Sequence, residues 1–118
     1  MSTPFVSITP LLPTGGSLDE ALALFTDRMG FELIWRGNDM AGIKRNTVEF
    51  NLVENDNRAW AENASFSIGV ADLDALYQEY RDLPARVGPL EEKMWGRREF
   101  HMILHSGVCL QFYERRES

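Results

Sequence analysis

A chain of 118 residues has room for one sizeable hydrophobic core and not for two independent ones. Eighteen acidic against twelve basic side chains give a net charge of −6, which argues against a phosphate-backbone binder and suits a cationic small-molecule partner. The single cysteine, Cys109, excludes an intrachain disulfide and fits a reducing, cytoplasmic setting, and neither a membrane span nor a signal peptide is expected from the apolar runs present.

Residues 5–9 (FVSIT) are β-rich and partly alternating, and predict a strand that Pro10 confines to an edge or an end. Pro13, Thr14, Gly15 and Gly16 predict a loop. Ser17 and Glu20 have the spacing of a capping box. Leu18, Ala21, Leu22, Phe25 and Met29 recur at helical intervals, so a helix is predicted over residues 18–29, with Gly30 as its stop. Its apolar stripe is core. Residues 31–35, 40–44 and 47–53 predict three strands. On the last of them Glu49 and Asn51 share one face, and Phe50 and Leu52 share the other, because side chains alternate along a strand. The polar pair either lines a pocket on the concave side of a sheet or faces solvent.

Residues 54–63 are polar apart from Trp60 and predict a linker. Trp60 either seals an interface between modules or subunits or covers the edge of the core. Residues 65–70 alternate as a strand. Asp72 is placed to cap a second helix with Leu73, Leu76, Tyr77 and Tyr80 on its buried side, ended by Asp82, Leu83 and Pro84. Residues 85–87 predict a brief strand, and 88–94 a loop carrying Glu91 and Glu92. Trp95 and Gly96 turn the chain through Arg97, Arg98 and Glu99 into a hairpin. Its strands are residues 100–104 and 108–113, joined by His105, Ser106 and Gly107. Val48-Glu49-Phe50 is echoed by Leu110-Gln111-Phe112, and the start of the first helix by Leu73-Asp74-Ala75-Leu76. Each half therefore reads β-α-β-β-β. The expected fold class is α+β: one domain, residues 1–118, of two tandem βαβββ modules (about 1–55 and 62–118) that form curved mixed sheets.

The chemistry-bearing residues are few. His101 and His105 stand four apart in an extended segment, roughly 13 Å along a strand, too far to share a metal. There is no cysteine cluster, HExxH, phosphate-binding glycine loop or nucleophile elbow. Binding is favoured over catalysis. Three tryptophans, Trp35, Trp60 and Trp95, exceed what a core of this size requires. A planar or cationic ligand could stack on them; otherwise each seals a sheet edge or a dimer contact. Of Arg97 and Arg98, one is expected in a structural ion pair and the other at the solvent.

The stretches LFTDRMGF (24–31), MAGI (40–43), DLDALY (72–77) and WGRREF (95–100) carry a resemblance. The chain resembles the vicinal oxygen chelate superfamily of glyoxalases and dioxygenases, and within it the bleomycin-resistance proteins. In the enzymes of that family, metal ligands occupy the first and last strands of each module. By position these become Thr9, Glu49, Ser65 and Gln111, of which only Glu49 is an ordinary ligand. No metal or other cofactor is therefore expected. The family's DPxGN-type turn is replaced by His105-Ser106-Gly107-Val108.

The resemblance implies a homodimer whose acidic, aromatic-lined clefts sequester a bleomycin-like cationic glycopeptide without chemistry, with neither nucleic acid nor membrane as partner. Trp35, Asp39, Glu49, Trp60, Glu92 and Trp95 are the candidate ligand-binding residues. Two other readings stand beside it. One is a metal-dependent isomerase, lyase or dioxygenase built on Glu49 with Gln111 and His101. The other is an interaction domain with packed tryptophans and shallow clefts.

Overall fold

The computed structural model describes residues 2–115, and each half of the chain builds its own sheet. The first sheet has the order β1-β4-β3-β2, from β1 (Leu11–Pro13), β2 (Glu32–Arg36), β3 (Met40–Arg45) and β4 (Val48–Val53). The second is built from β5 (Ser65–Val70), β6 (Arg86–Val87), β7 (Glu91–Glu92), β8 (Arg98–Ile103) and β9 (Cys109–Glu114). Its order is β5-β9-β8-β6, and β7 also pairs β8. In both sheets the first strand runs parallel to the last and the remaining pairs are antiparallel. The fold is α+β with a repeated βαβββ order, as the sequence pattern predicts. Among the described residues no helix is long and apolar enough to cross a membrane.

Helix α1 (Leu18–Ala23) begins where the Ser17 hydroxyl accepts the Glu20 N–H at 3.3 Å and the Glu54 carboxylate accepts the Leu18 N–H at 2.7 Å. Those two acceptors satisfy donors that a helix start otherwise leaves open. The expected single helix over 18–29 is a correction. After Ala23 it widens into a π-helical turn, Leu24–Arg28, in which the Met29 N–H reaches back five residues to the Leu24 carbonyl at 3.1 Å. The Thr26 hydroxyl donates to the Leu22 carbonyl at 2.8 Å, a bond that competes with the regular ladder. The widened turn still buries both Phe25 and Met29.

The carbonyl of Met29 ends this element and is capped from two sides. Arg45 Nη1 donates to it at 2.8 Å and the Tyr80 hydroxyl at 2.6 Å. Tyr80 belongs to α3 (Leu73–Tyr80), whose start is capped by Asp72 as expected. The second module thus closes the helix end of the first. Burial pushes the Tyr80 phenol up to about 12, against the opposing pull of Arg45.

The stretch 54–63 is not a plain linker. It holds α2 (Arg58–Glu62), started by the Asn57 side chain on the Trp60 N–H at 3.1 Å and pinned by buried Ala61. Five residues are too few for a helical period to show in the sequence.

The strand expected over residues 5–9 does not form within one chain. Residues 2–10 carry no secondary structure, and Phe5, Val6 and Ile8 are 100%, 90% and 85% exposed. Pro13, expected in a loop, closes β1 instead. In the second module β5 pairs β9 over six residues, from Ser65↔Cys109 to Val70↔Glu114. The counterpart ladder of β1 on β4 has three, from Leu11↔Asn51 to Pro13↔Val53, and its last bond joins the Asn51 N–H to the Pro10 carbonyl. By the repeat, residues 8–10 belong beside 48–50; the chain peels away before Pro10 instead.

Between the modules lies one continuous core. Phe25, Phe31, Phe50 and Phe66 form a chain of rings 5.3, 6.0 and 6.2 Å apart, the last contact running from the first sheet to the second. Tyr77, Phe100, Phe112 and Tyr80 form another, at 5.2, 5.1 and 5.5 Å. Each sheet buries one face in this core and leaves the other open.

Candidate functional site

Strand alternation decides what the open face of the first sheet presents. On β4, Phe50 and Leu52 are buried, so Glu49 and Asn51 point the other way. Asn51 pairs Gly42, and Gly42 pairs Trp35. A register shift between Leu33 and Trp35 brings the indole onto this face. It lies directly against Gly42, where an added Cβ would come within 2.1 Å of Trp35 Nε1. Asp39 stands exposed in the turn before β3, its carbonyl accepting the Glu54 N–H at 2.7 Å.

The open face of the second sheet is a polar platform. Gln111 on β9 donates to the Ser65 hydroxyl at 2.9 Å and accepts from the Ser67 hydroxyl at 3.2 Å. His101 on β8 sits opposite Gln111. Beside it, Glu99 is fully buried although its strand neighbours on this face are not. Its Oε1 is 2.6 Å from His101 Nε2, and its Oε2 accepts from Arg97 Nε at 2.8 Å and from the Trp95 indole N–H at 3.3 Å. Burial by itself would raise this carboxyl. The bonds from His101, Arg97 and Trp95 outweigh it and hold the group below the usual carboxylate range. The Arg97 guanidinium lies 4.0 Å over the Tyr113 ring.

Glu99 was not among the predicted site residues. The available signal was the alternation of Arg97, Glu99 and His101 on one side of a strand. Arg98 also differs from expectation. Neither arginine is simply solvated, since Arg98 pairs with Asp74 at 3.0 Å while Arg97 pairs with Glu99.

The predicted residues fall into separate groups within one chain. Trp35, Asp39 and Glu49 belong to the first sheet. Glu92 and Trp95 belong to the β7–β8 hairpin, and Trp60 lies part-buried on α2. Crevices of about 480, 380 and 220 Å³ in the single chain touch none of the six. The largest of these three is lined by Arg45, Ile68 and Tyr80. The reason is geometric: a sheet face exposed on one side needs a second surface before it becomes a cleft.

The donor set at the family's metal positions does not fit a metal centre. Thr9 lies in the exposed arm, Glu49 is on the first sheet, and Ser65 and Gln111 bond each other. One carboxylate with two hydroxyls and an amide, and neither imidazole nor thiolate, suits neither zinc nor iron. In the alternative set, His101 and Gln111 are neighbours but already engaged, and Glu49 is again on the other sheet. Asp72, Asp74 and Glu114 do bring carboxylate oxygens within 4.8 Å of one another. Each has structural work: Asp72 caps α3, Glu114 accepts the Leu73 N–H at 3.3 Å, and Arg98 holds the Asp74 carboxyl below its ordinary range.

No family model matches the sequence. The bleomycin resistance protein of Geobacillus stearothermophilus is 25% identical over 129 aligned positions, which span 92% of this chain and 96% of that protein. The fold superposes on a bleomycin-binding protein from bleomycin-producing Streptomyces verticillus, in complex with copper(II)-bleomycin. The TM-score is 0.85 at 24% identity, over 98% of this chain and 100% of that one. This chain's fold is also that of a glyoxalase/bleomycin resistance protein/dioxygenase from Nocardioides, with a TM-score of 0.74 at 15% identity over 99% of this chain and 88% of that one. The fold likewise matches lactoylglutathione lyase from Agrobacterium tumefaciens, with a TM-score of 0.72 at 15% identity over 95% of this chain and 96% of that one. Proteins named for binding and for catalysis thus share this fold, so the fold does not separate the two and the site must.

Proposed function

We propose that the protein is a non-catalytic binder, which sequesters a bleomycin-like cationic glycopeptide in clefts closed by two copies of the chain. The observation that carries this reading is the end-to-end match with a protein named for bleomycin resistance. The site supports it in kind. Trp35 is 43% exposed on the open face of the first sheet, and Trp95 59% exposed beside that of the second. Both are available to stack on flat rings, with Trp60 part-buried on α2. Exposed Asp39, Glu49 and Glu92 supply negative charge for a cationic tail. No bond to the drug is broken. Stoichiometric binding in the cytoplasm keeps it from DNA.

The dimer in this reading is supported by the arm. Phe5, Val6 and Ile8 meet water on all sides in one chain, while the parallel ladder beside β4 stops at Pro10. A second copy offers both the arm a surface and the open faces a roof.

Calorimetric titration of metal-free protein with bleomycin tests the reading. The expected result is saturable binding at no more than two drugs per dimer, accompanied by tryptophan quenching. A folded dimer that gives neither heat nor quenching at high micromolar drug would overturn it.

A further inference from the structure

The turn His105-Ser106-Gly107 joins β8 to β9 and is held from several sides. Arg58 on α2 donates its Nη1 to the carbonyls of His105 and Ser106 at 2.9 and 3.0 Å. Ser106 is buried against the β1–α1 loop, where a Cβ added at Gly15 would come within 2.4 Å of its Cα. A Cβ added at Gly107 would meet Glu62 Cγ at 2.9 Å. The exposed side chain of His105 therefore stands on a fixed base.

Two crevices meet at this histidine, since Pro84, Leu104 and His105 line both. The one of about 220 Å³ runs inward over buried Leu12, Phe25 and Leu52 and part-buried Leu24, with exposed Glu20 at its edge. The other, of about 380 Å³, is lined by Arg58 and Arg86 and by no acidic side chain among the described residues. Joined at His105, they make one groove, apolar at one end and cationic at the other.

In an acidic chain this cationic end is unusual in being left unpaired. Arg36, Arg45, Arg81, Arg97 and Arg98 each face a carboxylate. Arg58 has a loose pair with Glu62 at 3.7 Å. Among the described residues, the Arg86 guanidinium and the His105 ring have no hydrogen-bond or ion-pair partner. A guanidinium fork matches acid oxygens, and an apolar crevice favours hydrocarbon. Arg86 offers one uncommitted charge, which a carboxylate balances and a dianionic phosphate does not.

We propose that this groove binds a small amphiphilic anion, an unbranched alkyl chain ending in a carboxylate. The chain enters the crevice between Leu24, Leu52 and Leu104, and the head rests between Arg86 and the His105 ring. None of the six residues assigned to the drug lines the groove, so an alkyl acid here leaves them uncovered.

The test titrates octanoate, below its micellar range, into the nitrogen-15-labelled full chain. Saturable shifts are expected at the amides of Leu24, Leu104 and His105, with the Trp35 and Trp95 indole signals unmoved. Octanol and acetate each lack one half of the ligand and are expected to bind at least about tenfold more weakly. Arg86→Gln, at an exposed position where folding is not at stake, is expected to raise the octanoate Kd about tenfold and leave that of octanol unchanged.

Octanoate bound no more tightly than octanol, or an Arg86→Gln Kd within about twofold of wild type, would overturn the proposal. Octyl phosphate bound more tightly than octanoate would overturn the carboxylate head. Signals at Leu24 and His105 that answer to protein dilution and not to octanoate would assign the groove to a second copy of the chain and overturn it as well.

Discussion

Gly42 has no side chain, and the indole of Trp35 occupies the place where one would be. Gly42→Ala is therefore predicted to displace Trp35 with little loss of thermal stability, because the group that must move is exposed. A shift of the Trp35 indole resonance together with weaker bleomycin binding would bear this out; an unmoved indole would not. Trp95→Ala is predicted to weaken bleomycin binding by about 1 to 3 kcal/mol in calorimetry, the size of a stacking anchor. Added salt is expected to weaken it further if the acidic groups take part.

Glu99 adds a pH dependence. Its carboxyl is held below the unfolded value, so its contribution to stability is present above the ordinary carboxylate pKa and is lost as pH falls through the lower folded one. Denaturant unfolding across the acid range should show a flatter limb in Glu99→Gln. That Glu49 and Asn51 share one face of β4, with Phe50 and Leu52 on the other, was legible from the strand period. Glu99 was not, because its burial comes from neighbours folding over it and not from any apolar pattern.

At the scale of elements, the tie between α3 and the end of the π-helical turn concentrates several demands on one atom. The Met29 carbonyl accepts from both Tyr80 and Arg45, and Arg45 also holds Glu79 at 2.8 Å. The Glu79 bond raises the Arg45 guanidinium still further, so it stays charged. Tyr80→Phe should cost about 1 kcal/mol near neutral pH, the net worth of a typical hydrogen bond. The Tyr80 phenol is raised in the fold, so its stabilisation is full below pH 10 and is lost as pH rises toward about 12. The alkaline limb of an unfolding profile should therefore flatten in the phenylalanine variant.

The sequence showed α3 clearly, with its Asp72 cap and its apolar spacing. The π-helical turn was hidden because one extra residue per turn, over five residues, barely disturbs a helical period. Helix α2 was hidden by its length, and nothing in the β-rich pattern of residues 5–9 tells that the arm leaves β4 before Pro10.

For the whole molecule, the duplicated order of elements was readable from matched helix starts and strand echoes, and it placed both sheets correctly. It did not show that the six candidate residues stand apart, divided among the first sheet with its β2–β3 turn, the β7–β8 hairpin and α2. Replacing Phe5, Val6 and Ile8 with serine should shift sedimentation from a dimer, at twice 13.5 kDa, to the single chain. Bleomycin binding should fall with it. A dimer that survives the triple replacement would show that the arm does not hold the copies together.

The unequal ladders, six residues in one module and three in the other, also bear on heat. If the exposed arm completes the first sheet only on a second copy, association becomes part of the folding equilibrium, and mass action enters the melting temperature. Dilution should then lower Tm, whereas the melting of a self-sufficient single chain is indifferent to concentration. Scanning calorimetry over a hundredfold range of protein concentration, at fixed buffer, would register the slope.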